Sequence, residues 1–110
     1  MRLQPIVYTT ATAPVVGWYR TVLGVEPGYS SEMWTSFPVG DGYLAVHHVD
    51  TLPEGSRIEL SLVATEPLED VVARLESGGV EVERGIRDEP FGRSILLRDP
   101  DGNPVQVNEH

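Results

Sequence analysis

The sequence predicts an α+β fold of two βαβββ modules, whose eight strands and two helices form a half-barrel around a cavity. Two segments with helical periodicity each begin near a proline and end at a glycine. Each follows one strand-like segment and precedes others joined by a glycine-containing turn. Because this order occurs twice in 110 residues, we predict a single domain, with module one at about residues 1–52 and module two at about residues 53–110.

The first helix is predicted to begin at Thr12, whose hydroxyl suits an N-cap, with Pro14 in the first turn. Gly24 supplies the C-terminal stop. The apolar side chains recur at the spacing of one helix face, at Val15, Trp18, Tyr19, Val22 and Leu23. This pattern predicts a helix that packs one face against a sheet.

The second helix is predicted to begin near Thr65, with Pro67 in its first turn, and to end at Gly78-Gly79. Its apolar stripe consists of Leu68, Val71, Val72 and Leu75. Seven of the eight strands are assigned to residues, at Leu3–Thr9, Met33–Val39, Tyr43–Val49, Arg57–Ala64, Val80–Ile86, Ser94–Arg98 and Pro104–Asn108. Two hairpins are indicated by the turn sequences Gly40-Asp41-Gly42 and Asp99-Pro100-Asp101-Gly102.

Composition and charge exclude several classes of function. The chain has no cysteine, so disulfides, thiolate metal sites and cysteine nucleophiles are ruled out. It also has no lysine, which excludes Schiff-base chemistry and a Walker-type phosphate loop. The formal charge of −9 disfavours nucleic acid and anionic membranes as partners. We expect a cytoplasmic protein with a small-molecule ligand, since no signal peptide or transmembrane segment is apparent.

Three stretches in order resemble the vicinal oxygen chelate superfamily, which includes glyoxalase I, bleomycin-resistance proteins and extradiol dioxygenases. They are the two helix ends and the terminal hairpin, at Trp18–Gly24, Ala73–Val80 and Phe91–Pro104. With their spacing they cover nearly the whole chain. The resemblance implies the glyoxalase/bleomycin-resistance fold, which hosts both enzymes and pure binding proteins.

The resemblance also implies one divalent metal, Zn, Ni, Mn or Fe, held in the cavity by side chains from four strands. The corresponding positions are Gln4, His47, Glu59 and Gln106. The second position is open, because a shift in strand register would put Ala45 there and leave that strand without a ligand. The amides of Gln4 and Gln106 bring no charge, which would weaken metal binding.

Glu59 is the candidate catalytic residue, either as a metal ligand or as a proton acceptor. Alternation along its strand places Leu60 and Leu62 under the second helix and turns Glu59 inward. An inward carboxylate costs free energy unless it is paired or bound to metal. The alternatives are a solvated strand end and an ion pair with an arginine.

Four further residues border the expected cavity and are candidate ligand contacts: Trp34, Tyr43, Phe91 and Arg93. The aromatic rings could stack on a planar or cationic ligand, or be simple core and rim packing. Arg93 could bind a ligand carboxylate or phosphate, or pair with Glu59 or a surface acid.

Two functions are therefore predicted, from different classes. The first is a small-molecule binding protein of the drug-sequestering resistance type. The alternative is a metal-dependent lyase, isomerase or dioxygenase acting on a vicinal dioxygen substrate. The amides at two of the four ligand positions favour the binding protein. A homodimer is expected in either case, with the modules paired within or between chains.

Overall fold

The computed structural model describes residues 1–110 and has the predicted mixed α+β architecture. In chain order the elements are β1 (Arg2–Leu3), β2 (Ile6–Thr9), α1 (Thr12–Leu23), β3 (Tyr29–Ser30), β4 (Trp34–Val39), β5 (Gly42–His48), β6 (Ile58–Val63), α2 (Leu68–Ser77), β7 (Val82–Glu89), β8 (Gly92–Arg98) and β9 (Pro104–Glu109). None of the helices has the length and apolar composition needed to cross a lipid bilayer.

The N-terminal module consists of residues 4–59. Its sheet has the order β3-β4-β5-β2, and the first residues of β6 pair with β2. The helix α1 contacts β4 and β5 but has no fully buried residue, and Trp18 and Val22 are exposed. The buried positions of this module lie on its strands and include Ile6, Phe37, Ala45 and Val46.

The ends of α1 follow from local chemistry. Ala11 occupies the N-cap position instead of the predicted Thr12, and its backbone N–H donates to the Thr9 hydroxyl at 2.9 Å. This bond closes a turn just before the helix, and no side chain caps the first helical N–H groups. Gly24 ends the helix as predicted, with a left-handed φ of 69° and its N–H bonded to the Arg20 carbonyl.

The C-terminal module consists of residues 1–3 and 60–110. Its sheet has the order β7-β8-β9-β6, with β1 antiparallel to β6. Here the helix is embedded in the core, because Leu68 and Val71 of α2 are fully buried against Ile95 and Val107. This cluster is the apolar core that the stripe of the second helix predicted.

The boundaries around α2 differ from prediction by a few residues. The helix begins at Leu68, because Pro67 adopts an extended ψ of 141° at the N-cap position. A proline also disfavours helical geometry in the residue before it, which excludes Thr65 and Glu66 from the helix. The strand β7 continues to Glu89 and β8 begins at Gly92, whereas the predicted strands ended at Ile86 and began at Ser94; the two strands thus form a tight hairpin that was not predicted. The two-residue strand β3 was not predicted.

Candidate functional site

One face of the N-terminal sheet, opposite α1, carries a cluster of chemically active side chains. His47 on β5 pairs in register with Tyr8 on β2 and with Trp34 on β4. Glu59 pairs with Ile6, which lies two residues before Tyr8 and therefore points to the same side. Paired positions share a face of a sheet. We call the set Tyr8, Trp34, His47 and Glu59 the aromatic face; all four are half-buried.

The rings of the aromatic face lie close together. The His47 ring centroid is 5.6 Å from that of Tyr8 and 5.5 Å from that of Trp34, with tilted planes in both cases. These distances lie within the range of favourable aromatic contacts. The imidazole therefore sits between a phenol and an indole.

Tyr8 and Glu59 are joined by a hydrogen bond from the Tyr8 hydroxyl to Glu59 Oε2. Burial of Tyr8, reinforced by this bond and by the charge of Glu59, raises the pKa of the Tyr8 hydroxyl well above its ordinary value. Tyr8 consequently remains a neutral donor at physiological pH. It holds the Glu59 carboxyl group on the same face as His47.

His47 is biased toward its neutral form. Burial lowers its pKa from the ordinary 6.5, the charge of His48 lowers it further, and the charge of Glu59 opposes the shift. Its Nδ1 atom is buried without a hydrogen-bond partner. At pH 7 the ring is thus predominantly uncharged and retains an unused polar atom.

His48 has a structural role on the opposite face. Its Nδ1 atom lies 2.9 Å from the hydroxyl of Thr12, at the start of α1, and its Nε2 atom lies 3.4 Å from Asp50 Oδ1. These contacts tie the first turn of α1 to β5. The alternation of β5 therefore gives the two adjacent histidines different environments.

The structure gives the pairing of β5 with β2, in which Ala45 and His47 lie on the same face; which of them takes the second ligand position stays a prediction. Ala45 pairs with Ile6 and is fully buried, whereas His47 pairs with Tyr8. Tyr43 follows the same alternation and lies on the side of His47, opposite Pro38. Of the predicted site residues, Trp34, Tyr43, His47 and Glu59 thus share one face of the N-terminal module.

A resident divalent metal does not fit the donors of this module. They are one imidazole, the Glu59 carboxylate that Tyr8 already engages, and the amide of Gln4, which is buried just before β2. The fourth predicted ligand, Gln106, lies on β9 of the C-terminal module, opposite Ser61 and Leu96. No group of three or more His, Asp or Glu side chains is positioned to hold a metal ion. The four-residue metal set stays a prediction.

Arg93 is held by carboxylates within the C-terminal module. Its guanidinium donates to both oxygens of Glu69, at the start of α2, and to both oxygens of Glu109 on β9. These bonds hold the pKa of each carboxyl group below its usual range. Glu109 Oε2 also accepts the Leu68 N–H at 2.8 Å. Among the alternatives, Arg93 therefore pairs with surface acids.

Phe91, the other predicted contact in this module, lies in the tight turn before β8. Its ring is 47% exposed and its centroid is 5.5 Å from that of His110. No ring of the aromatic face belongs to this pair. Phe91 as a ligand contact stays a prediction.

Tyr8 is the member of the aromatic face that sequence reasoning missed. The signal was present, because the alternation that turns Gln4 inward also turns Ile6 and Tyr8 inward. The hydroxyl of Tyr8 can reach Glu59 because β2 pairs with both β5 and β6. That double pairing joins strands far apart in sequence, and no local pattern shows it.

Comparison with known proteins gives a consistent result. The model of the Glyoxalase/Bleomycin resistance protein/Dioxygenase superfamily matches residues 4–107. No curated protein sequence matches the chain.

Three solved structures illustrate the similarity of fold. One, described as an NAD-dependent benzaldehyde dehydrogenase from Legionella pneumophila, has a TM-score of 0.75 at 17% identity, covering 97% of each chain. A superfamily member from Vibrio splendidus has a TM-score of 0.69 at 16% identity, covering 99% of this chain and 98% of that one. A hypothetical protein from Bacillus halodurans has a TM-score of 0.75 at 11% identity, covering 97% and 91%. At these identities the likeness concerns the fold.

Proposed function

The chain belongs to the Glyoxalase/Bleomycin resistance protein/Dioxygenase superfamily, and from that premise we propose that it is a small-molecule binding protein of the drug-sequestering type. The observation that carries the proposal is the aromatic face. Tyr8 and Trp34 flank His47 there, beside the carboxylate of Glu59. Aromatic walls with a few convergent polar groups are typical of ligand-binding sites.

The chemistry of this face favours a planar organic cation. An indole or phenol ring attracts a cation by about 0.5–2 kcal/mol, depending on desolvation. The Glu59 carboxylate supplies an opposite charge, and neutral His47 supplies no repulsion. The net charge of −9 adds a weak attraction over longer range.

Binding of acriflavine, a cationic acridine, tests the proposal by isothermal titration calorimetry. Glu59→Gln removes the charge but keeps an oxygen that accepts the Tyr8 hydroxyl, so it isolates electrostatics. We expect it to weaken binding at least about tenfold, or about 1.4 kcal/mol. Glu54→Gln is the matched control, because it makes the same charge change at an exposed residue outside the aromatic face.

The two tryptophans provide a second matched pair. Trp34→Leu should weaken acriflavine binding about fivefold through loss of the cation–π contact. Trp18→Leu removes a tryptophan that is 60% exposed on α1 and should leave binding unchanged. Anthracene-9-carboxylate, a planar anion, should bind more weakly than acriflavine. Equal affinity of all four variants for acriflavine would refute the proposed site.

The metal-dependent alternative is tested separately, by metal content. It requires Gln4, His47, Glu59 and Gln106 to act together. The purified chain would be loaded with Zn, Ni, Mn or ferrous iron, desalted and assayed by elemental analysis. We expect less than stoichiometric metal; a stoichiometric value abolished by His47→Ala would instead support the enzyme. The homodimer and the cytoplasmic location stay predictions, and analytical ultracentrifugation tests the former.

A further inference from the structure

The C-terminal sheet carries a buried polar surface on the face opposite α2. Ile95 and Val107 point into the core beneath that helix, so Ser94 and Asn108 point the other way. Ser94 pairs in register with Asn108, and their exposures are only 1% and 3%. Buried polar side chains on a sheet face are unusual unless they have partners to bind.

Arg84 on β7 borders this surface and forms no direct ion pair; the carboxylate of Glu89 reaches it through Ser94 Oγ. Its Nη2 atom donates to Ser94 Oγ at 3.0 Å, and its Nη1 atom donates to the carbonyls of Ser94 and Gly85 at 3.3 and 3.1 Å. Five other arginines form ion pairs: Arg20, Arg74, Arg87, Arg93 and Arg98.

The geometry of these bonds leaves one edge of the Arg84 guanidinium unused. The end of the fork, formed by Nη1 and Nη2, is directed at Ser94. The side edge, formed by Nε–H and the second Nη2 N–H, makes no hydrogen bond within the protein. Such an edge matches the two oxygens of a carboxylate or phosphate.

Asn108 provides the second, independent observation. Its Oδ1 atom is buried and accepts no hydrogen bond. A buried acceptor without a donor costs about 1–3 kcal/mol, which a ligand hydroxyl or N–H would recover. Asn108 pairs in register with Ser94, whose hydroxyl accepts the bond from Arg84, while Arg84 itself pairs with Leu96 one row away on the same face.

The local charge also favours an anion. Glu89 accepts bonds from Arg87 Nε at 2.7 Å and from Ser94 Oγ at 3.0 Å. The hydrogen bond from Arg87 is the main reason why the pKa of Glu89 is lowered. The charge of Arg84 also acts on Glu89, so the group of Arg84, Arg87 and Glu89 carries one net positive charge in a chain whose net charge is −9.

We infer that Arg84, Ser94 and Asn108 form a binding site for a small carboxylate that carries a neighbouring hydroxyl or amino group. The Arg84 side edge binds the carboxylate, and Asn108 Oδ1 accepts a hydrogen bond from the neighbouring group. Ser94 orients the guanidinium from the other side. The site lies within the C-terminal module and does not depend on the function proposed for the aromatic face.

Lactate and propionate form the probe pair, because they differ by one hydroxyl group. Each would be titrated into the ¹⁵N-labelled chain at constant ionic strength, following the amide shifts of Gly85, Ser94 and Asn108. We expect both acids to bind, and lactate to bind about three- to tenfold more tightly because its hydroxyl satisfies Asn108.

Two variants assign the contacts. Arg84→Gln should weaken the binding of both acids at least about tenfold, since the hydrogen bonds from the charged guanidinium are lost. Its matched control is Arg74→Gln, which removes an exposed arginine from α2. Asn108→Leu should bring lactate down to the affinity of propionate. Because that acceptor has no partner to lose, the variant should fold, which a thermal melt checks.

The inference is overturned if neither acid shifts these amides, or if Arg84→Gln binds lactate as the natural sequence does. Equal affinities for lactate and propionate would show that Asn108 does not bind the hydroxyl group, and the proposed class of ligand would be wrong. The outcome is separable from the acriflavine experiment, because Trp34→Leu should leave lactate binding unchanged. If Asn108→Leu did not fold, the ratio of the lactate and propionate affinities of the unchanged chain, together with the Arg84→Gln variant, would still test the inference.

Discussion

The two modules share the same order of elements and of strands. They differ in how deeply the helix packs into the core and in the side chains on the sheet face opposite the helix. The N-terminal order β3-β4-β5-β2 corresponds to the C-terminal order β7-β8-β9-β6. Only α2 buries side chains in a core. The face opposite the helix is aromatic with a carboxylate in one module, and polar with a guanidinium in the other.

This difference shows that the two faces of each sheet can have different roles: one packs against the helix and stabilises the module, and the other carries the polar and aromatic side chains. A βαβββ unit needs only one apolar sheet face to pack against its helix, because side chains alternate along each strand. The opposite face is then free to vary. In this chain the same framework therefore carries two chemically different surfaces, for which we propose opposite charge preferences.

The largest expected effect tests the difference between the helices. Leu68→Ala empties a fully buried position in α2 and should lower the free energy of unfolding by about 2–5 kcal/mol. Val22→Ala changes a residue of α1 that is 59% exposed, and should cost less than about 0.5 kcal/mol. Urea unfolding measures both. Similar losses would contradict the unequal anchoring of the two helices.

The hairpin glycines sharpen the comparison. A Cβ at Gly92 would overlap the Glu109 carbonyl oxygen, whereas one at Gly40 would meet no atom within 4 Å. Gly92→Ala should therefore cost about 2–3 kcal/mol of unfolding free energy. Gly40→Ala should cost only the left-handed strain, about 1 kcal/mol. A cost for Gly92→Ala no greater than that of Gly40→Ala would show that β9 yields to the added methyl group.

Removal of the Tyr8 hydroxyl tests the hydrogen bond between Tyr8 and Glu59 in the aromatic face. Tyr8→Phe removes the hydrogen bond from the Tyr8 hydroxyl to the Glu59 carboxylate and should lower the free energy of unfolding in urea by about 1–2 kcal/mol. Tyr29→Phe, at a tyrosine that is 60% exposed, is the matched control and should be near neutral. If the two variants were equally stable, the Tyr8 bond would contribute nothing to the fold.

The smallest effect is the titration of His47, followed by NMR of its ring protons. Its pKa should lie below 6.5; Glu59→Gln should lower that pKa further, and His48→Gln should raise it. Because the folded-state pKa is below the unfolded one, His47 contributes stability above about pH 6.5 that is lost as the pH falls through the folded-state pKa. A pKa above 6.5 would contradict the dominance of burial.

Much of this arrangement could be predicted from local sequence. The stripe at Leu68 and Val71 predicted the buried helix, and Gly24 predicted where α1 ends. Alternation placed His47 and Glu59 on a face away from the helices. These features depend on residues a few positions apart, whose geometry the backbone fixes.

The remainder depends on register between distant strands. Arg93 meets Glu69 and Glu109 only because β8, β9 and α2 are brought together. Arg84 lies in an irregular part of the pairing between β7 and β8, where the register shifts both before and after this residue. A bulge changes which side chains share a face, so alternation alone could not place Arg84 beside Ser94.

The most direct test of the account is one NMR comparison of the two faces in the ¹⁵N-labelled chain. Acriflavine and lactate would be titrated in separate samples, and the shifted amides assigned to each module. We predict that acriflavine shifts amides around Tyr8, Trp34 and His47, and that lactate shifts those around Arg84, Ser94 and Asn108. If both probes shifted the same set of amides, the two modules would not carry separate chemistries and the central claim would be wrong.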